Sequence, residues 1–148
     1  MVRKVSVLFL LLATVFVFAG YAEAARQTFG GAFSVDVPSG WQVEEEEEDG
    51  AHMFSFTAPD NSARLSIIAG ENEEGFTAEE VATGFAEMFG GSKPEKDADG
   101  NFTFTFKNEN GVDGTAFITV DKESVVIFLV EGEHPQMGDL LGSFQLVE

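Results

Sequence analysis

The sequence predicts an α+β fold in which one mainly antiparallel sheet is covered by amphipathic helices. Three observations predict it. Short runs of alternating apolar residues follow one another at hairpin spacing, a single strongly capped helix signal stands in mid-chain, and a shorter helix signal precedes the last residues.

The fold reading applies to residues 25–148, because residues 1–24 read as a cleavable signal peptide. Arg3 and Lys4 supply a positive start, residues 5–19 form an apolar run without a charge, and Ala22, Glu23 and Ala24 form an A-x-A cleavage signal. The run of about 15 residues is shorter than the roughly 20 that span a bilayer. Cleavage after Ala24 leaves a single acidic α+β domain, residues 25–148, with no membrane insertion, placed in the periplasm of a two-membrane bacterium or secreted.

Residues 32–37 alternate, with Phe33, Val35 and Val37 on one face, and read as a strand. Pro38, Ser39 and Gly40 break it. Residues 41–48 form a second strand that begins apolar at Trp41 and turns acidic. Asp49 and Gly50 are a two-residue hairpin signal, since both positions favour positive φ, and residues 51–57 return as a third strand. That turn sets the register: Glu48 faces Ala51, Glu47 faces His52, Glu45 faces Phe54 and Val43 faces Phe56. Pro59, Asp60 and Asn61 turn the chain into a fourth strand, residues 63–69, with Leu65 and Ile67 on one face.

The helix follows. Thr77 and Glu80 form a capping box, in which hydroxyl and carboxylate each satisfy an orphan backbone N–H, and Phe76 and Val81 occupy the positions of a hydrophobic staple. Ala78, Val81, Ala82, Phe85, Met88 and Phe89 make one apolar stripe, and Gly90 with Gly91 ends it. Phe102, Phe104 and Phe106 alternate with Thr103, Thr105 and Lys107 in a half-buried strand. Residues 115–120 follow as a strand. Residues 124–130 are apolar on both faces, which predicts a central strand covered on both sides. His134 and Pro135 open a last short helix with Met137, Leu140 and Leu141 inward, and residues 144–147 close the chain.

Composition narrows the function. The net charge is −18, and −19 without Arg3, Lys4 and Glu23, which disfavours nucleic acid and anionic lipid surfaces. Cations or a basic protein face suit such a surface, and solubility alone is the simpler reading. There is no cysteine, so disulfides, thiolate metal sites, thiol nucleophiles and an N-terminal lipid-bearing cysteine are excluded. The domain must then hold itself together with a hydrophobic core alone, one rich in phenylalanine: only Phe9, Phe16 and Phe18 of the 16 fall in the signal segment.

The candidate sites each have a plain structural account. Glu44, Glu45, Glu46, Glu47, Glu48 and Asp49 are six consecutive acids. Their side chains alternate between faces and cannot all reach one ion, so the expectation is a charged hairpin that resists strand pairing with a neighbour. Asp97, Ala98, Asp99, Gly100 and Asn101 superficially resemble a calcium loop, but Phe102 and Asn108 stand where an EF-hand needs glycine and an acid. A turn explains them. His52 and His134 lack zinc-type spacing. His52 is expected to pair with Glu47 across the hairpin, and His134 to lie exposed in a loop leading into the helix. No serine sits in G-x-S-x-G. Trp41 is expected to anchor the hairpin into the core.

The phrase Phe33, Ser34, Val35, Asp36, Val37, Pro38, Ser39, Gly40, Trp41, ending in Pro-x-Gly-Trp, resembles the opening strand and turn of the Mog1/PsbP-like superfamily, including its bacterial DcrB-like periplasmic members. The mid-chain helix, the hairpin after it and the C-terminal helix running into Ser143 and Phe144 fit the same plan over most of residues 29–147. The resemblance implies a curved antiparallel sheet sandwiched by helices (an α/β/α sandwich). It implies an accessory, assembly or partner-binding protein of a mostly non-enzymatic family that shares no general catalytic motif, and the residues themselves nominate no catalytic residue, no metal site and no cofactor. PsbP itself binds calcium and chloride in an oxygen-evolving complex, and no residues here carry those sites over. The functional expectation is therefore an exported, non-catalytic accessory or partner-binding protein of the cell envelope. The alternative is a periplasmic binding protein for a small apolar ligand or a divalent cation.

Overall fold

The computed structural model describes residues 25–48 and 50–147. The segment read as a signal peptide and Asp49, the last acid of the run, lie outside the described residues.

The chain runs β1 (Ala25–Phe29), β2 (Phe33–Val37), β3 (Gln42–Glu48), β4 (Ala51–Thr57), β5 (Ala63–Glu71), α1 (Ala78–Phe89), β6 (Glu95–Lys96), β7 (Phe102–Lys107), β8 (Asp113–Val120), β9 (Ser124–Gly132), α2 (Met137–Gly142) and β10 (Gln145–Leu146). Seven strands form one sheet in the order β3-β4-β5-β9-β8-β7-β6, and three form another in the order β1-β2-β10. Neighbouring strands are antiparallel throughout. The β3–β4 hairpin has the register its turn dictates, with Glu47 opposite His52 and Val43 opposite Phe56. Strand β9 lies at the centre of the larger sheet, where an apolar run on both faces belongs.

The core divides between the two faces of the larger sheet. On one face α1 packs Ala82 and Ala86 against Phe104, Phe106, Ala116, Ile118, Ile127 and Leu129. On the other, β1, β2 and α2 cover β4 and β5, bringing Phe29, Phe33, Val35, Trp41, Met137 and Leu140 onto Phe54, Phe56, Leu65 and Ile67. Helices thus flank the sheet on opposite faces, as expected. The second face also needs a layer that the sequence reading did not contain, the three-stranded sheet. Strand β1 was missed altogether: its burial alternates, but its inward positions before Phe29 are held by Ala25 and Gln27, so no apolar period marks it in the sequence.

Local chemistry explains the elements that fix the frame. In α1 the Glu80 N–H donates to Thr77 Oγ1 (3.2 Å) and the Thr77 N–H to Glu80 Oε2 (2.8 Å), so the capping box is closed. Met88 does not join the stripe and is 74% exposed. In the Pro-x-Gly-Trp element, the Trp41 N–H donates to the Pro38 carbonyl (3.2 Å) and Gly40 takes φ +84°. A Cβ at Gly40 would lie 3.1 Å from Pro59 Cγ, so a close approach and a left-handed backbone both call for glycine there. The turn delivers Trp41 into the core, 2% exposed.

Candidate functional site

Register stacks the face beneath the small sheet in layers across β3, β4, β5 and β9. The first layer is Val43, Phe56, Leu65 and Val130, and the second Glu45, Phe54, Ile67 and Phe128. The third is Glu47, His52, Ala69 and Val126, and a fourth holds Glu71 beside Ser124. Over the first two layers the sheets are closed by rings. Phe33 sits 5.1 Å from Phe54 and 5.3 Å from Phe144, Phe29 lies 5.2 Å from Phe56, and Phe128 meets Phe144 edge-on at 4.8 Å. Such aromatic pairs each add about 0.5–1.5 kcal/mol beyond the area they bury.

At the third layer the filling stops. Ala69 stands where Leu65 and Ile67 stand in the layers before it, and the sheets part around a cleft of about 450 Å³. Its roof is the β1–β2 turn with Gly30 and Ala32, together with Phe33, Phe144, Leu146 and Val147. Its floor is Phe54, Ala69, Gly70 and Val126. Leu146 and Val147 at the rim remain 63% and 44% exposed. Large exposed apolar residues beside a concave apolar wall are the usual mark of a binding surface.

The ionisable groups lining the cleft are His52 and Glu71. His52 is opposite Glu47 in register, but its side chain leans along the diagonal, with Nδ1 3.5 Å from Glu45 Oε1. The expected His52–Glu47 pair is therefore corrected to His52–Glu45: diagonal neighbours on a pleated face are within reach of a long side chain. Nδ1 itself is buried without a hydrogen bond, and the ring lies nearly parallel to Phe54 at 6.2 Å. The Ser124 hydroxyl, also in the lining, donates to Asp121 Oδ2 (3.1 Å). The cleft thus presents apolar surface with one acid, Glu71, and one imidazole, His52, in its lining, and with Glu45 and Glu47 beyond His52 on the same face. That arrangement can hold an apolar group and attract positive charge.

The other sequence candidates lie elsewhere. Glu44 to Glu48 form the edge strand of the larger sheet, where charge blocks pairing with another chain. Glu45 and Glu47 share the cleft's face, and Glu44, Glu46 and Glu48 point the other way. Asp97 Oδ1 accepts from the Asp99 N–H (2.9 Å) and the Asn101 N–H (3.0 Å), a turn that uses its own carboxylate. His134 is half-buried, contrary to expectation. Its Nδ1 accepts from the Gln136 N–H (3.1 Å), and its ring meets Trp41 edge-on at 5.2 Å. Trp41 Nε1 in turn donates to Gln136 Oε1 (3.0 Å). Among the described residues no three histidine, aspartate or glutamate side chains gather as a metal site.

Two turn carboxyls are held below their usual range. Asp121 is lowered by the Glu123 N–H and then by the N–H and hydroxyl of Ser124, and Asp60 by the hydroxyl and then the N–H of Ser62. On the α1 face a second, more polar cavity of about 650 Å³ lies between the start of β5 and the β7–β8 turn. There Arg64 donates through Nη2 to Ser55 Oγ (2.9 Å) while its buried Nε has no partner.

Sequence reasoning missed the cleft's defining residues, Ala69, Phe144, Leu146 and Val147. One signal was available: on the period-two face of β5 the side chains fall from leucine and isoleucine to alanine and then glutamate.

No protein-family model matches the sequence, and no curated protein matches it. Among solved structures the chain is similar to cyanobacterial PsbP (CyanoP) from Synechocystis sp. PCC 6803, with a TM-score of 0.56 and 16% identity over 84% of this chain and 93% of that one. A crystal structure from Bacteroides thetaiotaomicron VPI-5482 superposes with a TM-score of 0.49 and 17% identity, over 86% of this chain and 50% of that one. At such identity the likeness is one of fold, and the fold is PsbP-like.

Proposed function

We propose that this chain is an exported, non-catalytic accessory protein of the cell envelope that holds a protein partner in the cleft between its two sheets. The observation that carries the reading is the cleft itself: an apolar recess with Leu146 and Val147 left exposed at its rim. Exposed apolar surface of this kind costs solubility unless something covers it. The PsbP-like fold supports an accessory role, since members of that superfamily are mostly non-enzymatic. The pattern of residues 1–24 supports export, and the net charge argues against nucleic acid. Among the described residues no helix is long and apolar enough to cross a membrane.

The test is cross-linking capture from the native envelope fraction with residues 25–148, comparing the natural protein with Leu146→Glu. A partner recovered by the first and lost by the second is the expected result. Equal recovery by both removes the cleft from the account, and turnover of a defined substrate by the purified protein removes its non-catalytic character.

A second reading has its own observation. A recess of about 450 Å³ falls within the roughly 300–1,000 Å³ of small-molecule sites, so a small apolar ligand is the alternative occupant. Thermal shifts against fatty acids and isoprenoids test it. A stabilising shift abolished by Leu146→Glu favours this reading over the protein partner.

A further inference from the structure

Resting on the partner-binding reading, we infer that the cleft's occupant is an extended segment of a basic protein, its apolar side chains seated over Ala69 and its flanking lysines or arginines held by the acids at the mouth. Three features lead there. Ala69 makes a recess between the bulky second layer and the polar fourth, deep enough for one apolar side chain from outside. Glu71 borders that recess two residues along β5 from Ala69, and Glu45 and Glu47 lie on the same face one strand beyond His52; all three are exposed. His52, already beside Glu45, is the basic group among the lining residues.

The apolar surface also continues out of the cleft. From Leu146 it runs over Phe144 onto Phe128 and then, directly across the β8–β9 pair, to the exposed Phe117. A strip that crosses two strands beyond the recess matches an extended chain better than a compact molecule. Charge decides between partners. A second copy would bring the same acids to the same mouth, and a strongly acidic surface repels its own kind. A basic segment meets complementary charge.

The experiment measures fluorescence anisotropy of labelled eight-residue peptides with residues 25–148 at low salt. One peptide carries a phenylalanine–leucine pair between lysine pairs, a second replaces the lysines by glutamates, and a third replaces the apolar pair by serines. The lysine peptide should bind, weaken as salt is raised, and bind at least about tenfold more tightly than either control, as like-charge contacts and lost apolar burial both predict. Ala69→Leu should fill the seat and weaken it about tenfold. Glu71→Gln should weaken it several-fold with unchanged circular dichroism. Ala69→Val is the second filling variant should leucine compromise folding.

Equal binding of the glutamate peptide, or no peptide binding, overturns the inference. Ala69-dependent binding of dodecylammonium without peptide binding, or an Ala69-dependent dimer, also overturns it. Partner capture that still depends on Leu146 while every peptide fails would leave the partner-binding reading standing and reject only the basic segment.

Discussion

Replacing Ala69 with leucine adds about three methylene equivalents to the floor of the cleft, worth about 2 kcal/mol if they were fully buried. Ala69 is only partly buried and the recess is open on one side, so about half of that is realised. Fixing the leucine rotamer opposes it by about 0.5–1 kcal/mol. The net expectation is a gain between zero and about 0.5 kcal/mol. If no recess existed, the same substitution would overpack the space beneath Phe33 and Phe144 and cost about 1–3 kcal/mol. The two outcomes differ in sign. Urea unfolding followed by the emission of Trp41, the sole tryptophan, separates them. With a slope near 1.5 kcal/mol/M the midpoint should stay level or rise by up to about 0.3 M, with the slope unchanged. A midpoint lowered by more than about 0.5 M would refute the reasoning, because the space would then be already filled.

Two further predictions concern the frame around the cleft. Gln136→Ala leaves the buried Trp41 indole N–H without its acceptor and should cost about 1–2 kcal/mol; an unchanged urea midpoint and an unshifted Trp41 emission would contradict it. Asp121, lowered by the Glu123 N–H and then by Ser124, should titrate below 3.8 in the folded chain by carbon-detected NMR. Because the folded value is the lower one, its stabilising contribution is present above the ordinary carboxylate range and disappears as pH falls through the folded value. Asp121→Asn should remove that part of the acid dependence, and a carboxyl titrating at or above 3.8 would contradict the assignment.

Much of the fold was legible because it is written in local chemistry. The β3–β4 register followed from a two-residue turn, the start of α1 from Thr77 and Glu80, and the central place of β9 from apolar residues on both faces. What was not legible depends on contacts between distant segments. Among the described residues strand β1 pairs with β2 alone, and its sequence of alanine, arginine, glutamine, threonine and phenylalanine carries no apolar strand period. The division into two sheets depends on Phe33 and Phe144 meeting Phe54 and Phe128, residues far apart in the chain. The cleft was hidden for the same reason. Ala69 is an unremarkable residue until β4 and β9 set His52 and Val126 beside it and leave the next position to Glu71 and Ser124. The diagonal lean of His52 toward Glu45 is a rotamer choice that register alone does not fix.

Occupation of the recess by a basic apolar segment is decided by where that segment lands. An amide NMR titration of residues 25–148 with the lysine-flanked peptide locates it residue by residue. Saturable shifts should concentrate at Gly30, Ala69, Gly70, Val126, Leu146 and Val147, with α1 unmoved. Shifts confined to Glu44–Glu48, or spread over the polar cavity by Arg64 and Glu131, would show that the recess between the sheets is not where binding occurs.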